Sequence, residues 1–316
     1  MAAGSDVPAL AGLKGRDYLS SADLDAVQTG ALLDLAADLK AGRRRLDLSG
    51  RCLGLIFTKA STRTRVSFTV AMARAGGQTI DLDPAVTQLG RGEPLADTAR
   101  VLSRYVDALA VRTFAQAELD DYAHWASIPV INALTDREHP CQALADYLTL
   151  REAFGAIGGL TLAYVGDGNN VAHSLMLCGA LLGVNVRVGC PEGFAPEAAV
   201  LEQAHQLAQG GCRIEVVHEP LAAVRGAHAL YTDVWASMGQ EAEQKRREEA
   251  FRGWCLDEAL LSEADSRAIV LHCLPAHRGE EISAGVIEGG ASRVFDQAEN
   301  RLHAQQALLA TLLGAL

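Results

Sequence analysis

Leu53-Gly54-Leu55-Ile56-Phe57-Thr58-Lys59-Ala60-Ser61-Thr62-Arg63-Thr64-Arg65-Val66-Ser67-Phe68-Thr69-Val70-Ala71-Met72 is the stretch whose reading decides the fold. An apolar strand-like run, Leu53–Phe57, passes through a polar turn into an amphipathic run that begins near Ser61. Hydroxyls, guanidinium groups and the first backbone N–H groups of a helix converge on one point. Phosphate binds well there, because the helix terminus supplies oriented donors and partial positive charge, and arginine supplies bidentate donors. Read alone, Ser61–Arg65 also suits an ordinary N-cap followed by solvated arginines. The rest of the chain has to separate the two readings.

Outward from this stretch, short β-branched runs alternate with longer helical patterns. The strand candidates are Leu53–Phe57, Thr79–Leu82, Ala108–Arg112, Pro129–Ala133, Thr161–Val165, Asn185–Val188, Arg213–Val217, Ala229–Thr232, Ala268–His272 and Arg293–Phe295. Helical patterns between them, such as Asp97–Arg104 and Ala195–Leu207, complete an α/β alternation with mostly parallel sheets. The long pattern Cys141–Phe154 ends in Gly155-Ala156-Ile157-Gly158-Gly159 and marks a boundary. The expected organisation is two domains, each a mostly parallel sheet flanked by helices, joined by two interdomain helices. Residues 1–138 form the first domain, 139–155 a linking helix and 156–298 the second domain. The C-terminal helix, 299–316, packs back across the junction onto the first domain.

With 316 residues the chain is long enough for two cores, and 49% hydrophobic with 21% charged residues is ordinary for a water-soluble protein. A net charge of -11 argues against a general nucleic-acid or anionic-membrane binder. Any anion site must be a local concentration of basic groups. The seven cysteines are scattered without a Cys-x-x-Cys pair, which suits a reducing compartment. Met1–Asp6 lacks a basic region followed by an apolar core, and no apolar stretch is long enough to span a bilayer, so the expected location is the cytoplasm.

In parallel sheets, ligands sit at the carboxyl ends of strands. Several motifs fall there. Arg112 ends the run Ala108-Leu109-Ala110-Val111. His139-Pro140-Cys141-Gln142 follows the run Val130–Leu134, with proline suited to the first helical turn. A histidine beside a glutamine amide suits a planar carbonyl-plus-amine group, although a histidine at a helix mouth often only caps it. Tyr164-Val165-Gly166-Asp167-Gly168-Asn169-Asn170 opens like a dinucleotide-binding unit. Val171, however, stands where a third glycine belongs, and Gly189-Cys190-Pro191 offers no ribose-binding acid. Asn170 can instead present an amide to a small polar substrate. Asp233-Val234-Trp235-Ala236-Ser237-Met238-Gly239 places a carboxylate, a hydroxyl and a turn glycine beyond another strand, a set suited to an amino-acid head group. His272-Cys273-Leu274-Pro275 puts a thiol and a backbone carbonyl at a strand end, and Arg301 opens the last helical pattern.

Taken in order, Ser61-Thr62-Arg63-Thr64-Arg65, Gln88-Leu89-Gly90-Arg91-Gly92-Glu93, His139-Pro140-x-Gln142, Asp233-x-x-x-Ser237-Met238-Gly239, His272-Cys273-Leu274-Pro275 and Glu299-Asn300-Arg301 resemble the carbamoyltransferase family. The Ser-Met-Gly and His-Cys-Leu-Pro motifs mark its ornithine branch. The resemblance covers nearly all of the chain after Lys14. It implies a carbamoyl-phosphate domain, an ornithine domain and a homotrimer with sites shared between subunits, and it calls for no metal or organic cofactor. By motif match, Ser61, Thr62, Arg63 and Thr64 hold the phosphate with Arg112 and Arg301, and Gln88 serves a neighbouring subunit's phosphate. Arg112, His139 and Thr64 polarise the carbonyl oxygen, while Gln142 and the Leu274 carbonyl fix the carbamoyl NH2. Asn170, Asp233, Ser237 and Met238 bind ornithine, with Cys273 near its δ-amine. Asp233 and Cys273 are the groups expected to position or relay the amine's proton. Arg65 supports the loop.

Other readings carry less of the pattern. The nearest rivals are carbamoyl transfer to aspartate, putrescine or an N-acylated ornithine; the acylated-substrate branches depart from the Ser-Thr-Arg-Thr-Arg or Ser-Met-Gly patterns that this chain keeps, and putrescine lacks only ornithine's α-carboxylate. An NAD-linked dehydrogenase would rest on Gly166-Asp167-Gly168 alone. A non-catalytic homologue would be expected to have lost site residues, and the polar members are all present.

Overall fold

The computed structural model describes residues 7–83, 88, 92–236 and 243–316. The chain divides into two compact units, Met1–Leu148 with Glu299–Leu316, and Thr149–Ala298. The sequence boundary between them falls inside the helix Pro140–Phe154.

The first unit is built on a four-stranded, all-parallel sheet. Its strands are β1 (Cys52–Phe57), β2 (Gln78–Asp81), β3 (Ala108–Arg112) and β4 (Val130–Leu134), in the order β2-β1-β3-β4. The helices Thr62–Arg74, Leu95–Leu102 and Gln116–Trp125 provide the crossovers. Both central strands are almost wholly buried, which is why they read as unbroken apolar runs rather than alternating ones. Ile56, Leu109, Val111, Leu119, Tyr122 and Val130 form one core cluster.

This strand order fixes where a ligand can sit. The chain leaves β1 toward β2 on one side, and β3 and β4 lie on the other. The topology therefore switches between β1 and β3, and beyond the carboxyl ends of those strands is where a parallel sheet takes its ligand. Ser61–Arg65 follows β1, and Arg112 is the last residue of β3. The β3–β4 register also shifts there: Val111 pairs with Asn132, but Arg112 pairs with Leu134. Such an irregularity re-aims the residues beside it.

The second unit repeats the logic with five parallel strands. They are β5 (Thr161–Val165), β6 (Asn185–Gly189), β7 (Ile214–Val217), β8 (Ala229–Thr232) and β9 (Ile269–His272), in the order β7-β6-β5-β8-β9. Here the switch lies between β5 and β8. The glycine turn of Asp167–Asn170 follows the first, and Asp233 follows the second. Val165, Leu230, Phe251, Leu256, Val270 and Ile282 belong to this unit's core.

The α/β class with parallel sheets matches the expectation. One expected strand is corrected: Arg293–Phe295 does not form one. Val294 starts the helix Val294–Leu313, and near it only an isolated bridge pairs Ser292 with Val270. A three-residue run of β-branched and aromatic character has too few residues to show whether its period is that of a strand or a helix. The C-terminal helix consequently begins five residues before the expected Glu299. Among the described residues, no helix is long and apolar enough to cross a membrane.

Candidate active site

In the first unit, Ser61 is the N-cap of the helix Thr62–Arg74, in extended backbone, and its side chain makes no capping hydrogen bond. The hydroxyl therefore does not close the helix end. Thr62 and Arg63 are exposed, whereas Thr64 is buried. Arg65 turns elsewhere: it pairs with Asp81 and lies over the Phe57 ring, 5.0 Å from the centroid.

Arg301 organises the buried part of this region. Its guanidinium donates from Nη2 to Thr64 Oγ1 at 3.2 Å, from Nη1 to Gln142 Oε1 at 2.7 Å and from Nε to Gln305 Oε1 at 3.0 Å. Gln142 in turn donates its amide to Asp146 Oδ1 at 2.7 Å, and Ser67 donates to Gln305 Oε1 at 3.0 Å. A side chain near the end of the sequence thus meets the first turn of an early helix. Sequence reasoning named Thr64, Gln142 and Arg301 but missed Asp146, Gln305 and Ser67. The i,i+4 spacings of Gln142 with Asp146 and Arg301 with Gln305 were the available signal.

His139 stands just before Pro140, which opens the helix Pro140–Phe154, and is 5% exposed. Burial is the main cause holding its imidazole well below the usual 6.5, and Arg301, Arg112 and Arg63 act in the same direction. The ring is therefore neutral, beside three guanidinium groups on a chain of net charge -11. The preceding residue is pinned: Glu138 accepts from Ser20 Oγ at 2.5 Å and from Ser21 N–H at 2.9 Å. Arg112 is buried, and its carbonyl accepts from Thr58 N–H at 2.9 Å, tying the ends of β1 and β3 together. Arg63, Thr64, Arg112, His139, Gln142 and Arg301 make a donor-rich set suited to an oxyanion or phosphate. Gln88 is exposed, and its carbonyl accepts from Glu93 N–H at 3.2 Å.

The second unit holds a group of opposite character. Asn169 caps the helix Asn170–Leu181 through Oδ1, which accepts from the N–H groups of Val171 (2.9 Å) and Ala172 (3.2 Å). The Tyr164 hydroxyl donates to the same oxygen at 3.2 Å. With Oδ1 so occupied, Nδ2 points the other way and donates to Asp233 Oδ2 at 2.9 Å. The other carboxylate oxygen, Oδ1, accepts from Cys273 Sγ at 3.0 Å. Asp233 is buried, and Cys273 and Asn170 are partly so. Asn169 was missed in the sequence, where Asn170 was preferred. Its Asn-before-helix position was the signal. Gly168 has to be glycine, because a Cβ there would lie 2.3 Å from Pro196 N. Ser237 and Met238 lie outside the described residues.

Beyond β9, His272 Nδ1 accepts from Leu274 N–H at 2.8 Å, so Nε2 carries the proton and faces Glu281 Oε1 at 3.0 Å. Leu274 takes φ 60° before a cis peptide bond to Pro275. Asp233, His272 and Cys273 also offer one potential metal-ligand atom each, all within 4.8 Å of one another. The same groups bond to one another and to Leu274, Glu281 and Asn169.

Comparison with known proteins agrees with both halves. Residues 16–152 match the carbamoyl-P binding domain of the aspartate/ornithine carbamoyltransferases, and residues 158–312 match the Asp/Orn binding domain of the same family. An ornithine carbamoyltransferase of Parasynechococcus marenigrum (strain WH8102) is 74% identical, covering 100% of this chain and 99% of its own. Among solved structures, ornithine carbamoyltransferase from Gloeobacter violaceus is 57% identical with a TM-score of 0.88, covering 95% of this chain and 100% of its own. That from Pyrococcus furiosus is 50% identical with a TM-score of 0.92, covering 96% and 99%.

Proposed function

This chain belongs to the aspartate/ornithine carbamoyltransferase family, and from that premise we infer that it transfers the carbamoyl group of carbamoyl phosphate to the δ-amine of L-ornithine, giving L-citrulline and phosphate. The observation that carries ornithine rather than aspartate is the Asn169–Asp233–Cys273 group. A buried carboxylate at the amino-acid end attracts an ammonium and repels a second carboxylate.

The first unit's residues take the phosphoryl and carbonyl parts. Ser61, Thr62, Arg63 and Thr64 at the helix terminus hold the phosphate with Arg112 and Arg301, as the open N-cap and the Arg301–Thr64 bond support. Neutral His139, Arg112 and Thr64 donate to the carbonyl oxygen as it gains charge. A preorganised donor of this kind is worth about 10²–10³ in turnover. Gln142 and the Leu274 carbonyl receive the carbamoyl NH2. Asn170, Asp233, Ser237 and Met238 hold ornithine, whose amine must be neutral to attack. Asp233 and Cys273 position or relay its proton. The amine forms a C–N bond at the carbonyl carbon, the oxyanion collapses, and the C–O bond to phosphate breaks. Orientation and charge stabilisation by side chains do this chemistry.

We also assign the protein to a homotrimer with shared sites, Gln88 serving a neighbour's phosphate. The exposure of Gln88, and the exposed apolar side chains of Val66 on the helix after the phosphate turn and Ile80 on the edge strand β2, support this reading. The domain limits 1–138, 139–155 and 156–298, a cytoplasmic location and a place in arginine metabolism belong to the same proposal. Seven cysteines, none in a disulfide, support the location. The test is product formation by purified protein with carbamoyl phosphate and, in parallel, ornithine, putrescine, N-acetylornithine and aspartate. Citrulline and phosphate from ornithine alone are expected. Activity only with another amine would overturn the reading of Asp233. No activity in folded protein would overturn the enzyme.

A further inference from the structure

Arg247 has no part in the roles assigned above, yet the residue is 6% exposed and its guanidinium is heavily engaged. Nη1 donates both to Asp167 Oδ2 at 2.7 Å and to the Trp235 carbonyl at 2.8 Å. The Phe194 ring lies 5.2 Å from the guanidinium carbon, and Glu243 Oε2 is 3.4 Å from Nε. Asp167 opens the turn that carries Asn169 and Asn170, and Trp235 follows Asp233 by two residues. One buried side chain therefore joins the loop after β5 to the loop after β8. Those two loops flank the switch point between β5 and β8, where a parallel sheet takes its ligand.

A buried ion pair is expensive to desolvate and is weak evidence of stability by itself. What matters here is which atoms it joins. The Asn169–Asp233 hydrogen bond, 2.9 Å long, spans the same two loops. Arg247 closes a second link across them, through Asp167 and the Trp235 carbonyl. A rigid guanidinium fork can hold a carboxylate and a carbonyl in fixed relation, whereas a lysine ammonium on a flexible stem does so loosely.

We infer that Arg247 is a positioning residue for the amino-acid substrate. By locking Asp167 to the Trp235 carbonyl, it sets the spacing of Asn169 and Asp233 that the ornithine head group must meet. It acts through those residues and does not touch substrate. The inference rests on the reading of the second unit as the ornithine site.

The test is steady-state citrulline formation with each substrate varied, for wild type, Arg247→Met, Arg247→Lys, Asp167→Asn and the double variant Arg247→Met/Asp167→Asn. Displacement of positioning groups typically costs from about tenfold to 10²-fold. Arg247→Met should raise the KM for ornithine about tenfold or more, with the KM for carbamoyl phosphate unchanged. Arg247→Lys should fall between it and wild type. The double variant should be no worse than Arg247→Met, because both changes cut one link. If Arg247→Met does not fold, Arg247→Lys and Asp167→Asn decide the matter by the same KM criterion. A role in folding alone would lower kcat per milligram and the unfolding temperature while both KM values stayed put, and that result would overturn the inference. Wild type without ornithine activity would overturn the functional reading and this inference with it. Active wild type beside variants of unchanged ornithine KM would overturn this inference alone.

Discussion

Replacing His139 with glutamine gives a prediction whose size follows from the structure. His139 is buried among Arg301, Arg112 and Arg63, and its ring is held well below 6.5, chiefly by burial. The native protein therefore keeps the ring neutral under mildly acidic conditions, while the unfolded chain protonates it below about 6.5. The unfolded state then binds one more proton, and stability is lost by about 1.4 kcal/mol for each pH unit below that point. For a ring that stays neutral in the native state throughout, the loss between pH 7.5 and 5.0 reaches at most about 2 kcal/mol. Asp167 works in the opposite sense. Its carboxyl is pushed up to about 6, mainly by burial, so the native state takes a proton there that the unfolded state refuses until 3.8. Its contribution to stability grows as pH falls. The wild-type curve alone mixes the two. The difference between wild type and His139→Gln isolates the histidine, because Asp167 is common to both. Urea unfolding at one protein concentration should show wild-type stability falling relative to His139→Gln from pH 7.5 to 5.0, by up to about 2 kcal/mol. A constant difference would mean that the native ring titrates normally, and a neutral donor at the carbonyl oxygen would lose its basis.

Three further outcomes are expected. Arg112→Met should lower kcat by about 10²–10³, measured as phosphate release at saturating substrates, since it removes one of the donors proposed for the carbonyl oxygen. Gly168→Ala should destabilise the protein by about 1–3 kcal/mol, read from thermal or urea unfolding, because the added Cβ meets the Pro196 backbone at 2.3 Å and has no flexible neighbour to displace. Cys273→Ser replaces a weak donor to Asp233 with a stronger one and should shift the pH dependence of kcat. An unchanged profile would remove Cys273 from proton handling.

Much of the fold is legible because the central strands of both parallel sheets are buried, which turns them into compact apolar runs such as Ala108–Arg112 and Thr161–Val165. The failure at Arg293–Phe295 has the same root, since three residues do not distinguish a strand from the start of a helix. In the site, Thr64, His139 and Gln142 are readable because a turn signal or proline places each at a helix mouth. Arg301 is a lone arginine in a long helix, and nothing local reveals that it will donate to Gln142, 159 residues away in sequence. Asp146 and Glu281 are hidden for another reason. A buried carboxylate looks like any surface acid until its partner, Gln142 or His272, is in place. Asn169 lost out to Asn170 because adjacent identical residues are separated only by which one caps the helix, and the cap is a matter of backbone geometry.

The central claim is a division of labour, with the anion and carbonyl handled by the first unit and the amine by the second. It is tested most directly by varying each substrate against Arg301→Met and Asp233→Asn in the same citrulline assay. Arg301→Met should raise the KM for carbamoyl phosphate and leave that for ornithine in place, while Asp233→Asn should do the reverse. If either variant raised both KM values equally, or if the two effects were exchanged, the assignment of the two substrates to these residues would be contradicted.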